Sequence, residues 1–156
     1  MRRKIKSKKE LIPDSVYNSV LITKFINHLM LDGKKSTAQK ALYGALEILK
    51  KDTGQENTLP VFEAALKNVS PNFEVRSRRI GGANYQVPRE VKADRKLTLA
   101  IRWLLEASRG KKGKPIAKKL AEEFLLASKN EGAAIKKKEN VHKMAEGNKA
   151  FAHFAW

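Results

Sequence analysis

The chain departs from helical periodicity at Glu74-Val75-Arg76-Ser77-Arg78-Arg79-Ile80-Gly81-Gly82-Ala83-Asn84-Tyr85-Gln86-Val87-Pro88-Arg89. Its β-branched and aromatic residues favour strands, and two adjacent glycines separate two arms of similar length. Glycine at both central positions supplies the positive φ angles that a tight primed turn requires. Pro88 has no amide proton and therefore fits a strand only at a sheet edge. We predict an antiparallel two-stranded β-ribbon over about residues 73–91.

Apolar residues recur at helical spacing on both sides of this ribbon. Local signals mark the starts of five helices: an N-cap at Asn18, a capping box at Ser36 and Gln39, an N-cap at Thr58, an N-cap at Asp94, and Pro115 at the first position of helix five. A sixth, thinner helix is expected to use Ala134, Val141, Met144 and Ala145. The predicted fold is mainly α, a single-domain bundle of six helices with the ribbon arm inserted between helices three and four.

The charge of the chain is strongly positive and unevenly distributed. The 156 residues include 33 Lys and Arg and 16 Asp and Glu, which gives a net charge of +17. Residues 11–72 carry seven basic and six acidic residues, so the excess lies in the first ten residues and beyond residue 72. A polyanion is the partner that neutralises many such charges at once, and nucleic acid is the first expectation. We expect residues 1–12 to be a basic tail, mobile without RNA, and residues 13–156 to form one helical domain.

Other classes of protein receive little support from the composition. The chain has no cysteine, which excludes disulfides and thiolate metal sites and fits a reducing compartment. No apolar run approaches the roughly 18 residues that span a bilayer, and no secretory signal follows the basic N-terminus, so we expect a soluble cytoplasmic protein. His28, His142 and His153 have no metal-ligand spacing. Glu122 and Glu123 are adjacent on a helix and are expected to be solvated, so we predict no catalytic residues, metal or cofactor.

Basic residues of the ribbon are the strongest candidates for nucleic-acid binding. Alternate strand residues share a face, so Arg76 and Arg78 project together and Arg79 points the other way. Guanidinium groups bind phosphates, and Tyr85 near the tip could stack on a base. The competing interpretation is an exposed hairpin whose arginines only discourage edge-to-edge aggregation.

Further basic clusters lie in loops and at helix ends. Lys34 and Lys35 follow Asp32-Gly33 in a pattern that superficially resembles a phosphate-binding loop, but His28 occupies the position of its required first glycine. These lysines could still contact phosphate near the start of helix two. Arg109, Lys111, Lys112, Lys114 and Lys136 are further candidates, and for each the alternative is a solvated loop or helix end.

Three stretches of the chain resemble one known family. They are Leu31-Asp32-Gly33-Lys34-Lys35-Ser36-Thr37-Ala38, the ribbon from Val75 to Pro88, and Val141-His142-Lys143-Met144-Ala145-Glu146-Gly147-Asn148-Lys149-Ala150-Phe151-Ala152-His153-Phe154-Ala155-Trp156. The chain closely resembles the bacterial-type small-subunit ribosomal protein seven family along essentially its whole length. It departs from the family pattern at Gly147, a poor helix former near the expected end of helix six.

The resemblance implies a structural constituent of the ribosome that binds the 3′ major domain of 16S-type rRNA and nucleates assembly of the subunit head. It implies a position near the exit tRNA site and the mRNA path, contacts with small-subunit proteins nine and eleven, and a bacterial or organelle ribosome. Together with the charge pattern, it gives the expected rRNA-binding residues as Arg2, Arg3, Lys4, Lys6, Lys8, Lys9, Lys34, Lys35, Arg76, Arg78, Arg79, Arg95, Arg102, Arg109, Lys111, Lys112, Lys114 and Lys136. The residues expected to face tRNA or mRNA are Gly81, Gly82, Ala83, Asn84, Tyr85, Lys143, Lys149 and His153.

An architectural DNA-binding protein is the alternative function. A basic ribbon with a nearby proline would also suit bending of duplex DNA from the minor groove. A DNA wedge would more naturally be aliphatic, whereas Tyr85 favours stacking on unpaired bases.

Overall fold

A computed structural model describes residues 11–154, and this part of the chain is mainly helical. The elements in chain order are α1 (Val20–Leu29), α2 (Lys35–Thr53), α3 (Leu59–Val69), β1 (Phe73–Ile80), β2 (Ala83–Glu90), α4 (Ala93–Gly110), α5 (Ile116–Ser128), α6 (Ala133–Gly147) and a C-terminal 3₁₀ helix (Lys149–Phe154). The structure confirms six α-helices with an antiparallel ribbon between the third and fourth. The chain divides into two compact units, one ending at Lys40 and the other beginning at Ala41, so the number of domains stays a prediction.

The first unit contains α1 and the start of α2. Side chains of Ile22, Phe25 and Ile26 on α1 are buried. The N-cap predicted at Asn18 is wrong, because Asn18 has a left-handed backbone (φ 47°) and Ser19 precedes the first helical residue. Asp14 organises the segment before α1, since its carboxylate accepts hydrogen bonds from the amides of Val16 and Tyr17, both at 3.2 Å.

The predicted capping box at Ser36 and Gln39 is also wrong. An N-cap at Ser36 would start the helix at Thr37, but α2 begins two residues earlier, at Lys35. The amide of Ala38 donates to the carbonyl of Lys34 at 3.3 Å. The tight turn at Gly33 (φ 73°) allows this early start, so Ser36 lies inside the first turn.

The second unit is built around α3, α4 and α5. The rings of Phe62 on α3 and Phe124 on α5 meet edge to face at 5.3 Å, and both are fully buried. Asn68 donates to the carbonyls of Ala127 and Ser128 at 3.0 Å each. Because the last carbonyls of a helix lack partners within it, these bonds fasten the end of α5 to α3.

Only one of the three helix starts predicted in this unit matches the structure. Thr58 precedes α3 as predicted, with Pro60 in the first turn. Pro115, predicted at the first position of helix five, instead immediately precedes α5, because its backbone is extended (ψ 149°). Asp94 lies within the first turn of α4, which begins at Ala93, so the N-cap predicted there is wrong. A carboxylate inside the first turn still interacts favourably with the helix dipole.

Helix α6 buries a narrower face than its sequence pattern predicts. Ala134, Ile135 and Ala145 are buried, but Met144 is 52% exposed and does not belong to the buried face. The helix ends at Gly147, where the chain departs from the family pattern.

The ribbon has the predicted turn. Ile80 pairs with Ala83, and the two glycines between them have φ angles of 56° and 89°. Val87 and Pro88 are buried near the base of the ribbon, whereas residues 81–84 at the tip are exposed. The turn therefore places an exposed, largely basic arm on the helical scaffold.

Candidate nucleic-acid interface

The base of the ribbon carries a cluster formed by Glu74, Arg76 and Arg95. Arg76 Nε donates to Glu74 Oε1 at 2.8 Å, and Nε and Nη2 of Arg95 donate to Glu74 Oε2 at 3.2 Å each. Glu74 and Arg76 share a ribbon face because they are two residues apart, and α4 supplies Arg95 from the first turns of the helix. The structure therefore brings together two of the arginines expected to bind rRNA.

The ribbon tip meets the C-terminal 3₁₀ helix. The ring of Tyr85 lies 5.1 Å from Phe151 and 5.8 Å from Phe154, and Arg78 Nη1 donates to the carbonyl of Phe154 at 3.3 Å. Arg78 and Tyr85 are partners in the strand register and so occupy the same region of the ribbon. Tyr85, expected as a stacking surface for bases, is half-buried against the protein's own aromatic rings.

This contact unites the two segments expected to face tRNA or mRNA. Gly81, Gly82, Ala83 and Asn84 are exposed at the tip. Lys143, Lys149 and His153 are exposed on and after α6, and His153 Nδ1 lies 2.9 Å from the carbonyl of Ala150. The tip and the C-terminal segment are thus neighbours on one part of the second unit.

The loop between α4 and α5 has its lysines paired with acidic residues. Lys111 Nζ lies 2.8 Å from Oε2 of Glu123, and Lys114 pairs with Glu122. The hydrogen bond from Lys114 holds the pKa of the Glu122 carboxyl below its ordinary value. Lys112 and Arg109 are exposed in the same region.

Glu123 is fully buried, so the expectation that it is solvated is wrong. Its Oε1 accepts a hydrogen bond from the amide of Ala134 at 3.0 Å, at the beginning of α6. Its Oε2 accepts no well-directed hydrogen bond among the described residues, and the nearby ammonium of Lys111 provides the compensating charge. Lys111 therefore has a structural contact in addition to its expected role toward RNA.

Three consecutive lysines on α6, residues 136–138, also differ in their contacts. Lys137 pairs with Glu106 on α4, and Lys138 donates to the carbonyl of Asn68 at 2.6 Å. Lys136, the residue of this run expected to bind rRNA, is exposed.

Other residues expected to bind rRNA are exposed as well: Arg79 and Arg102 in the second unit, and Lys34 and Lys35 in the first unit. The expected tail residues, which are Arg2, Arg3, Lys4, Lys6, Lys8 and Lys9, lie outside the described residues.

His142 joins α6 to the start of the ribbon. Its Nε2 accepts a hydrogen bond from the amide of Asn72 at 3.1 Å, and its ring meets that of Phe73 edge to face at 6.2 Å. Burial lowers the pKa of His142, and the positive charge of Lys138 lowers it further.

The described part of the chain offers neither a metal site nor a membrane-spanning helix. Between residues 11 and 154, no three His, Asp or Glu side chains converge in a way that could hold a metal ion. Over the same range, no helix has the length and apolar character needed to cross a bilayer.

The chain is similar to known proteins along its whole length. The family model described as ribosomal protein S7p/S5e matches residues 1–149. The small ribosomal subunit protein uS7 of Fervidobacterium nodosum is 58% identical over 156 residues, which is all of both chains. The corresponding uS7 proteins of Heliobacterium modesticaldum and Thermotoga maritima are 55% and 53% identical, covering 99% and 100% of each chain. With the helical fold and its basic ribbon, these similarities lead to one conclusion: the chain belongs to the ribosomal protein S7p/S5e family.

Proposed function

We propose that this chain is a primary rRNA-binding protein of the small ribosomal subunit. It binds the 3′ major domain of 16S-type rRNA, nucleates assembly of the subunit head, and lies near the exit tRNA site and the mRNA path. Small-subunit proteins nine and eleven are its protein neighbours, and the ribosome of the cytoplasm is its location. The role is structural, because RNA segments are held in place without a bond being made or broken.

The observation that carries this proposal is the set of exposed basic residues on separate elements of a chain that matches its relatives over their whole length. In the second unit, Arg79 on the ribbon, Arg102 on α4, Lys112 in the following loop and Lys136 on α6 are all exposed. Phosphate contacts from several rigid elements can hold RNA segments that are distant in sequence in one geometry.

Recognition is expected to depend on RNA shape more than on base edges. The major groove of an A-form helix is too deep and narrow for side chains to read, so double-stranded segments present mainly phosphates and 2′-hydroxyls. Arginine side chains match this surface, since their guanidinium groups bind phosphate through two parallel hydrogen bonds.

The ribbon tip and the C-terminal 3₁₀ helix form the surface that we assign to exit-site tRNA and mRNA. Contact of Tyr85 with Phe151 and Phe154 supports treating them as one surface. Tyr85 then supports the shape of this surface, while exposed Asn84, Lys149 and His153 are available to the RNA.

A competition experiment tests the proposal. The full chain is bound to a labelled transcript of a multihelix junction from the 3′ major domain of small-subunit rRNA, and unlabelled duplex DNA of equal length competes at the same salt concentration. The proposal predicts that the rRNA junction binds more tightly than the DNA. Tighter binding of DNA would instead support the architectural DNA-binding function.

A pair of variants tests whether the assigned residues are responsible. Arg79→Gln removes one expected phosphate contact and should weaken rRNA binding. It should also reduce the slope of log affinity against log salt by about 0.7–0.9, the range between the single-strand and duplex values. Lys67→Gln removes the same charge from an exposed position on α3 that is not assigned to RNA, and it serves as the matched control. Equal effects of the two substitutions would contradict the assignment of Arg79.

A further inference from the structure

Glu74 is a nearly enclosed acidic residue at the base of the basic ribbon. Its side chain is 11% exposed, whereas those of Arg76 and Arg95 are 52% and 39% exposed. A buried carboxylate is costly unless it is paired, and here each carboxylate oxygen is paired with a different guanidinium group. The carboxylate thus links an arginine of the ribbon to an arginine of α4.

The hydrogen bonds leave both arginines able to bind another anion. A guanidinium group has five N–H donors, and Glu74 engages only the Nε and Nη2 side of each. Within residues 11–154 neither Nη1 group has an acceptor, so both of its hydrogens remain for a further one. Because the guanidinium groups are more exposed than the carboxylate, phosphate oxygens can approach them from solvent.

We propose that Glu74 is a positioning residue that holds Arg76 and Arg95 ready to bind RNA phosphates. This inference rests on the proposed rRNA binding. Long, flexible side chains lose conformational freedom when they are immobilised at an interface, and an arrangement that exists before binding reduces that cost. Glu74 pays part of the ordering cost during folding, so the RNA meets two arginines already in place.

This role predicts an effect opposite in sign to simple electrostatics. The three side chains together carry a charge of +1, and replacing Glu74 with a neutral residue would raise that charge to +2. If charge alone determined binding, the substitution would strengthen attraction to RNA. If Glu74 positions the arginines, the same substitution weakens binding.

The experiment measures binding of full-length variants to the junction transcript by filter binding at fixed salt. Glu74→Gln should weaken affinity roughly fivefold or more, since two arginine side chains must then be ordered during binding. Glu90→Gln is the matched control, because Glu90 is exposed on the same ribbon and has no ion pair among the described residues. It should leave affinity unchanged or raise it. Binding of Glu74→Gln as tight as that of wild type would overturn the inference.

Glu74→Asp provides a second variant in which the charge is unchanged. Its side chain is one methylene shorter and cannot hold both guanidinium groups in their present positions. We expect weaker binding of this variant as well, with wild-type helicity confirmed by circular dichroism. Wild-type affinity would contradict the inference even if Glu74→Gln failed to fold.

A purely structural role for Glu74 is distinguished by the background in which it is substituted. In an Arg76→Gln/Arg95→Gln protein, Glu74→Gln should leave affinity unchanged or increase it, because no arginines remain to be positioned. Equal weakening in both backgrounds would overturn the inference in favour of general destabilisation. Failure of the proposed function gives a different result: wild type itself would then not prefer the junction over duplex DNA. If wild type does prefer the junction and Glu74→Gln binds it equally well, only the inference about Glu74 fails.

Discussion

At the scale of single residues, Gly132 has a backbone conformation that other residues cannot adopt without strain. Its φ is 100° and its ψ is 174°, a region populated almost only by glycine. A Cβ atom there would also lie 2.9 Å from Glu123 Oε1. We predict that Gly132→Ala lowers the free energy of unfolding by about 1–3 kcal/mol, because of backbone strain and displacement of the buried carboxylate. Urea unfolding measures this change.

Gly110→Ala is the matched control for that substitution. Gly110 ends α4, and a Cβ atom there meets nothing within 4 Å. Alanine is a better helix former than glycine, so the control should be neutral or stabilising by up to about 1 kcal/mol. Similar losses of stability in both variants would contradict the special role of Gly132.

His142 should make stability depend on pH. Burial holds its folded-state pKa below the ordinary value of 6.5, with Lys138 acting in the same direction and Glu146 partly opposing them. As the pH falls below 6.5, the unfolded state therefore takes up the proton first, and folding becomes less favourable until the pH passes the lowered folded-state pKa. Protonation also removes the acceptor of the Asn72 amide. We expect His142 to contribute its full stability above about pH 6.5 and to lose it in more acidic solution.

The measurement compares urea unfolding of wild type with that of His142→Gln between pH 8 and pH 5. Glutamine retains a hydrogen-bond acceptor but does not titrate in this range. The stability of wild type relative to the variant should decline as the pH is lowered. A constant difference, or one that increases in acid, would show that His142 is not the titrating group.

The residues predicted correctly from sequence are those whose role depends on their immediate neighbours. The positive φ angles of Gly81 and Gly82 follow from the tight turn between two strand-like segments, which the local sequence alone shows. The burial of Glu123 was not predicted, because the groups that compensate its buried carboxylate lie more than ten residues away in opposite directions. They are the amide of Ala134 and the ammonium of Lys111. A pair of adjacent glutamates on a helix carries no local sign of which one turns inward.

At the scale of elements, the ribbon is supported by the C-terminal 3₁₀ helix. A two-stranded ribbon is only marginally stable alone, so the packing of the Tyr85 ring against Phe151 and Phe154 stabilises it. We predict that Tyr85→Ala removes about 1–2 kcal/mol of local stability, as expected for two aromatic contacts. Hydrogen exchange of the amides from Arg78 to Gln86 should accelerate, whereas exchange in α3 and α5 should not change.

Tyr85→Phe tests whether the ring or the hydroxyl group is responsible. It keeps both aromatic contacts and should preserve wild-type exchange in the ribbon. Unchanged exchange in Tyr85→Ala would mean that the 3₁₀ helix does not support the ribbon.

The sequence pattern predicted the number and order of the α-helices better than their ends. Apolar periodicity extends over whole helices, whereas an N-cap residue contributes only about 1 kcal/mol and is readily outweighed by packing and turn geometry. That difference in energy accounts for the errors at Asn18, Ser36 and Asp94. The 3₁₀ helix was not predicted, because its support comes from the ribbon, where Tyr85 lies 66 residues before its contact Phe151.

At the scale of the whole molecule, the positive charge falls into two groups. Some basic residues are paired with acidic side chains and help to hold the fold, such as Lys111, Lys114 and Lys137. Others, such as Arg79, Arg102 and Lys136, are exposed at separate positions. Sequence could count these charges, but it could not separate the groups, because ion pairs between helices depend on the tertiary fold. We expect the exposed group to neutralise RNA phosphates, together with Arg76 and Arg95, which are paired with Glu74 but keep further donors.

The salt dependence of binding tests the multi-contact account most directly. Filter binding of the junction transcript to the full chain is measured over a range of monovalent salt concentrations. With roughly eight phosphates neutralised, log affinity should fall by about 7 per tenfold increase in salt on the slope known for a duplex, B-form DNA, or by about 5.6 on the single-strand slope. A slope shallower than about −3 would contradict the account, because too few phosphates would then be contacted for several basic elements to bind at once.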